Sequence, residues 1–188
     1  MADYDLLIRG GALIDGSGAP AMAGDVAIAD GTIARIAAPD SISPSEARRT
    51  IDVEGCAVAP GFIDAHTHDD MAVLKTPEML PKISQGVTSV VVGNCGISAA
   101  PIRLTEPPKP PLNLLGAQPD FVFERFADYA AAVERTCPAV NVAALVGHGT
   151  LRVRTMPDLD RRATQGELSE MRGLLAQSLE EGAIGFST

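Results

Sequence analysis

Short apolar runs separated by glycine-bearing turns fill the opening of the chain. Residues 5–9 and 12–15 flank Gly10-Gly11, residues 26–29 and 32–36 flank Asp30-Gly31, and residues 51–53 and 57–59 lie on either side of Glu54-Gly55. Runs this short with turn residues between them predict strands. Asp-Gly in particular readily takes the positive φ angles of a type I′ hairpin turn. No stretch here has helical spacing, so residues 1–58 are expected to form a small all-β domain.

From residue 59 the pattern changes. Residues 62–65 follow Pro60-Gly61 as a short buried strand, and residues 78–85 have helical character with Gly86 as their stop. The β-branched run Val87–Val92 predicts a strand buried on both faces. Six prolines between 101 and 119 predict an irregular loop, either bordering a site or acting as a rigid spacer. Asp120 is placed to N-cap a helix over 120–136, with Val122, Phe123, Phe126, Ala130 and Val133 on its apolar face. Residues 140–146 predict another buried strand. Thr164-Gln165-Gly166-Glu167 has capping-box spacing and opens a helix to about residue 181, with Leu168, Met171, Leu175 and Leu179 as its core stripe. After Gly182, residues 183–187 begin a fourth strand.

Strands alternating with helices predict βα units on a parallel sheet, an α/β fold. Three such units fit in residues 59–188, whereas a closed (β/α)8 barrel takes roughly 250 residues. The chain also stops on a strand, Gly185-Phe186-Ser187-Thr188, with no helix to cover it. The expectation is the N-terminal part of a longer polypeptide; an open three-layer α/β sheet is the alternative. An uncovered last strand presents an unpaired apolar edge, so self-association through it is expected.

Composition narrows the classes of function. Hydrophobic residues make up 46% of the 188 and aromatic residues only 4%, with no Trp, so the core must be built from Ala, Val, Leu and Ile. Few aromatics and a net charge of −9 argue against a nucleic-acid partner. No segment approaches the roughly 18 consecutive apolar residues of a membrane span. The acidic Met1-Ala2-Asp3-Tyr4-Asp5 lacks the basic start of a signal peptide. Cys56, Cys95 and Cys137, odd in number and widely spaced, fit a reduced cytoplasmic protein without a disulfide frame.

The candidate chemistry centres on His66-Thr67-His68, which holds two of the three histidines. In an extended segment residues i and i+2 share a face, so both imidazoles can reach one divalent metal. On spacing alone a polar strand end bonded to solvent remains open. Ligands on a parallel sheet gather at the carboxyl ends of its strands. Gly93-Asn94-Cys95-Gly96 directly follows the next predicted strand. Adjacent strands lie about 4.8 Å apart, which brings Cys95 within reach of the histidines. Two imidazoles and a thiolate are a credible Zn²⁺ donor set. His148 follows the third strand and faces the same mouth, with a pocket-shaping or a structural role. Arg152 could meet a substrate carboxylate or form a structural ion pair. Asp69 and Asp70 read as a solvated or hydrogen-bonded loop pair.

Pro60-Gly61-Phe62-Ile63-Asp64-Ala65-His66-Thr67-His68 resembles the first-strand motif of the amidohydrolase superfamily, metal-dependent hydrolases on a TIM barrel. The opening segments Asp5-Leu6-Leu7-Ile8-Arg9-Gly10-Gly11 and Leu13-Ile14-Asp15-Gly16 resemble the β-domain that precedes that barrel. Gly86-Val87-Thr88-Ser89-Val90-Val91-Val92-Gly93-Asn94-Cys95-Gly96 is similar to the D-aminoacylase (N-acyl-D-amino-acid deacylase) branch. Gly147-His148-Gly149-Thr150-Leu151-Arg152 and Gly185-Phe186-Ser187 look like the same branch. The resemblance implies an incomplete (β/α)8 barrel over residues 59–188, preceded by the small β-domain. It implies hydrolysis of N-acyl-D-amino acids to a carboxylate and a D-amino acid, with a small molecule as partner and neither nucleic acid nor membrane. It also implies one tightly held Zn²⁺ with Cys95 as ligand, and a second, weaker site at His66 and His68. No catalytic residue falls within the chain, because the family's further zinc histidines and its catalytic aspartate come from later strands. The isolated chain is accordingly expected to show no appreciable deacylase activity. A cyclic-amidase relative of the dihydroorotase or hydantoinase kind shares the H-x-H motif, although Cys95 speaks against it. A non-catalytic fragment needing a complementing chain is the reading from a different class.

Overall fold

The computed structural model describes residues 2–188. The chain divides into two compact units, Met1–Pro60 and Gly61–Thr188. In the first, β1 (Tyr4–Leu13), β2 (Met22–Ala29), β3 (Thr32–Ala37), β4 (Ala47–Asp52) and β5 (Ala57–Val58) form one five-stranded sheet. Its order is β3-β2-β1-β4, with β5 also alongside β1. β1–β2 and β2–β3 are antiparallel, while β4 and β5 run parallel to β1. At the β2–β3 hairpin Asp30 and Gly31 take φ of 51° and 73°, as the Asp-Gly pair demands.

Gly10-Gly11 is not the chain reversal expected of it. It lies inside β1, where the register against β2 shifts between Ile8 and Gly11, and Gly10 has φ 77°. This is a bulge, and positive φ serves a kink within a strand as readily as a turn. Fully buried Asp25 accepts the Gly10 N–H at 2.9 Å, and a Cβ on Gly11 would sit 2.5 Å from Val58 Cγ2. The unit also contains a 3-10 turn, Pro44–Glu46, capped by Ser43.

The second unit runs β6 (Phe62–Asp64), α1 (Ala72–Lys75), α2 (Leu80–Ile83), β7 (Val87–Val92), β8 (Ile102–Arg103), β9 (Val122–Phe123), α3 (Phe126–Thr136), β10 (Asn141–Gly147), α4 (His148–Thr155), α5 (Gln165–Glu180) and β11 (Gly185–Ser187). β6, β7, β10 and β11 form a four-stranded sheet in that order, with every neighbouring pair parallel and helices in each crossover. The unit is α/β. Its core includes Val90, Val92, Phe121, Tyr129, Val146 and Leu151. Among the described residues no helix is long and apolar enough to cross a membrane.

Several elements differ from expectation for local reasons. β6 is an edge strand, so Phe62 and Ile63 are exposed rather than buried. In β7, Val90 and Val92 are fully buried, whereas Val87, Ser89 and Val91 on the other face are half-buried. The helix foreseen over 78–85 shortens to α2. The helix foreseen from Asp120 begins only at Phe126, because Asp120 closes a 3-10 turn by accepting the Ala117 N–H and β9 intervenes. The loop over 101–119 is less irregular than its prolines suggest, since it contributes β8 and two 3-10 turns. On α5 the capping box forms as read, but Leu179 is exposed and Ser178 is buried in its place.

Candidate metal centre

His66 and His68 follow β6, and Cys95 follows β7, at the carboxyl ends of neighbouring parallel strands. The two imidazole rings stand edge-on, with centroids 6.0 Å apart and planes at 82°. His66 Nε2 lies 2.9 Å from Cys95 Sγ. One donor atom from each of His66, His68 and Cys95 falls within 4.8 Å of the others. The expected trio is therefore brought together.

The turn that carries Cys95 is built for this placement. Gly93, Cys95 and Gly96 have φ of 79°, 53° and 72°. Such angles are uncommon for a residue bearing a Cβ, so Cys95 needs its neighbours to hold it there. Asn94 Nδ2 donates to Val91 O at 2.7 Å. Ser187 Oγ, on β11, donates to Gly93 O at 2.5 Å and accepts the Gly96 N–H at 3.1 Å. Ser98 and Thr150 exchange hydrogen bonds just beyond, with the Ser98 N–H donating to Thr150 Oγ1 at 2.8 Å.

The histidine loop has its own anchor. Lys82 Nζ donates to Asp64 Oδ2 at 2.6 Å and to Thr67 Oγ1 at 3.2 Å, and it lies 3.0 Å from Asp69 Oδ2. Asp69 Oδ2 has no aligned donor, so its compensation is the charge of this ammonium. The Lys82 hydrogen bond holds the Asp64 carboxyl below its usual range. Burial works to lower the pKa of Lys82, but its hydrogen bond to Asp64 and its ion pairs with Asp64 and Asp69 outweigh that and leave it raised. Apolar periodicity gave no sign of Lys82, whose role depends on which loop α2 packs beneath.

Of the two readings of Asp70, solvated or hydrogen-bonded, the second holds, with the backbone N–H groups of Gly93 and Ala99 as donors. The residue is 1% exposed, and burial pushes its carboxyl up to about 6 against the opposing pull of backbone N–H groups. His148 opens α4 at the same end of the sheet and packs edge-on against Phe186, with centroids 5.8 Å apart. It is outside the donor trio. Arg152 turns to its own loop, donating to Leu159 O at 2.9 Å and Arg161 O at 3.2 Å.

The donor set fits a divalent metal by its chemistry. Two imidazoles and a thiolate suit Zn²⁺, and His68 Nδ1 is buried with no hydrogen-bond partner, a costly state for a ring nitrogen unless something else engages the ring. Residues 49–188 match the sequence profile of the amidohydrolase family. This chain belongs to that family. Like other amidohydrolases it has solved relatives. It is 51% identical over 185 residues to a D-aminoacylase of Alcaligenes xylosoxydans xylosoxydans, covering 98% of this chain and 37% of the relative. A D-aminoacylase structure solved to define the role of its binuclear metal centre superposes with a TM-score of 0.93 at 50% identity, covering 98% of this chain and 38% of that one. An N-acyl-D-glutamate deacylase from Bordetella bronchiseptica, complexed with zinc and a phosphonate mimic of the tetrahedral intermediate, gives 0.91 at 45% identity, covering 99% and 38%. This amidohydrolase chain thus spans little more than a third of the length of these relatives.

Proposed function

We propose that this chain supplies the His66, His68 and Cys95 side of a zinc centre in a hydrolase that cleaves N-acyl-D-amino acids to a carboxylate and a D-amino acid. The observation that carries the reading is the convergence of two imidazoles and a cysteine sulfur at the ends of β6 and β7. Its support is the likeness to D-aminoacylase and to a deacylase complexed with zinc. The parallel sheet of residues 59–188 is taken as the first portion of a (β/α)8 barrel, with residues 1–58 as a small β-domain before it.

Zinc bound here would polarise the amide carbonyl and lower the pKa of a bound water. The residues of this chain hold and shield the donors. Lys82 neutralises Asp64 and Asp69, so neither carboxylate competes with the imidazoles from beside the loop. Lys82 pairs with those two carboxylates, and the backbone N–H groups of Gly93 and Ala99 engage that of Asp70. The resemblance to the D-aminoacylase branch implies that the acid–base aspartate lies in the part of the relatives' length that this chain does not span. His148, at the same strand ends, would border the substrate.

The test is a chimera in which this chain replaces the matching segment of the Alcaligenes D-aminoacylase. The expected result is zinc-dependent release of D-amino acids from N-acetyl-D-amino acids, with no turnover of the L enantiomers or of cyclic imides, and loss of activity on Cys95→Ala. A chimera that folds and binds zinc yet prefers cyclic imides, or hydrolyses nothing, contradicts the reading.

A further inference from the structure

Asp70 lies two residues after His68 and is buried to 1% exposure, yet the chemistry above gives it nothing to do. Both oxygens of its carboxylate meet backbone N–H groups. Oδ2 accepts the Gly93 N–H at 3.2 Å, and Oδ1 accepts the Ala99 N–H at 3.1 Å. These two amides stand on either side of Cys95. The backbone carbonyl of Asp70 in turn accepts the Tyr129 hydroxyl, on α3, at 2.8 Å. We propose that Asp70 is a positioning residue of the metal centre, whose carboxylate ties the loop bearing His66 and His68 to the turn bearing Cys95. The inference rests on the proposed metal site and adds what fixes the distance between its halves.

The argument is one of acceptors. Two N–H donors reach Asp70 from different parts of one turn, and each needs its own oxygen. A carboxylate offers two oxygens and no donor, whereas an amide would set an N–H against one of the two backbone N–H groups. Removing an acceptor in so buried a place leaves a donor unpaired, and the turn would shift to find another partner. Cys95 would move with it, since its φ of 53° persists only while the flanking residues hold it. Ser187 and Asn94 also brace the turn, but Asp70 is the brace that belongs to the histidine loop itself. The carboxylate thus acts through Cys95 and stands outside the donor trio.

Cobalt(II) titration of the whole chain tests this, because thiolate-to-cobalt charge-transfer absorption reports Cys95 coordination directly. The unaltered protein should show the band and Cys95→Ala should lose it. Asp70→Asn should weaken cobalt binding roughly 10–100-fold, the range seen when the outer partners of metal ligands are lost. Its band should also be reduced at saturating cobalt. Met171→Ala, a cavity on α5, should lower stability and leave both readings unchanged. Asp70→Asn with unaltered affinity and band overturns the inference. A band missing from the unaltered protein overturns the metal site instead. Amide hydrogen exchange on the unaltered protein applies even if Asp70→Asn fails to fold. Gly93 and Ala99 should be protected and open together, and exchange of either at the rate of an open loop overturns the clamp.

Discussion

Replacing Gly93 with alanine isolates the close approach that shapes the Cys95 turn. Gly93 has φ 79°, and a Cβ there would stand 2.1 Å from Leu145 O and 2.8 Å from Leu145 C. Both atoms are backbone of β10, paired to β7 through Ala144 and Val92, so no side chain can swing aside. Two costs add. The left-handed backbone costs an alanine about 1–2 kcal/mol. Forcing the strands apart costs about 1–3 kcal/mol more, the range for overpacked interiors. Gly86 provides the control within the same unit. Its φ is 80°, but a Cβ there would meet only the Phe62 ring at 3.4 Å. Gly86→Ala should therefore carry the first cost alone. Urea denaturation followed by circular dichroism measures both, and Gly93→Ala should be the less stable by at least about 1 kcal/mol. Cobalt binding should weaken in Gly93→Ala and not in Gly86→Ala. Equal stabilities within about 0.5 kcal/mol, the scatter of ordinary surface changes, would refute the steric argument.

Two further outcomes are expected. Lys82→Met should destabilise the chain by about 1–3 kcal/mol at neutral pH, because it strips two partly buried carboxylates of their partner. Asp64 has a lowered folded pKa, so this stability is present above the usual carboxylate range and lost as pH falls. The deficit of the variant should accordingly shrink in acid, and a deficit unchanged from pH 7 to 3 would contradict the ion-pair account. Glu167 sits in the α5 capping box with Arg161 beside it, and the Arg161 hydrogen bond foremost lowers its carboxyl to about 2 from 4.5. Its contribution should be complete above pH 4.5 and fade toward 2, so the stabilities of wild type and Glu167→Gln should converge over that window. A gap that stays constant would rule out the charge.

How much of this the sequence disclosed depended on whether the signal was local. His66-Thr67-His68 after an apolar run and Cys95 after Val87–Val92 were readable as strand-end donors, because strand periodicity sets where side chains emerge. The Thr164–Glu167 capping box and the Asp30-Gly31 hairpin were readable because four residues decide each. Gly10-Gly11 was not, since its glycines suit a bulge as well as a turn and only pairing to β2 selects one. α4 escaped notice because His148-Gly149-Thr150 is a poor helix start that is held by its setting, with the Thr150 N–H on Gly96 O at 3.2 Å. Asp70 and Lys82 were opaque for the same reason. Their partners lie 13 to 29 residues away in the chain, and nothing near them in sequence announces the contact.

X-ray absorption on the zinc-loaded protein tests the metal site most directly. If His66, His68 and Cys95 bind together, the zinc shell should contain one sulfur at about 2.3 Å and two imidazole nitrogens at about 2.0–2.1 Å, with the sulfur lost in Cys95→Ala. A shell of oxygen and nitrogen alone, unchanged by that substitution, would show that Cys95 is not a ligand and that the convergence of the trio has another cause.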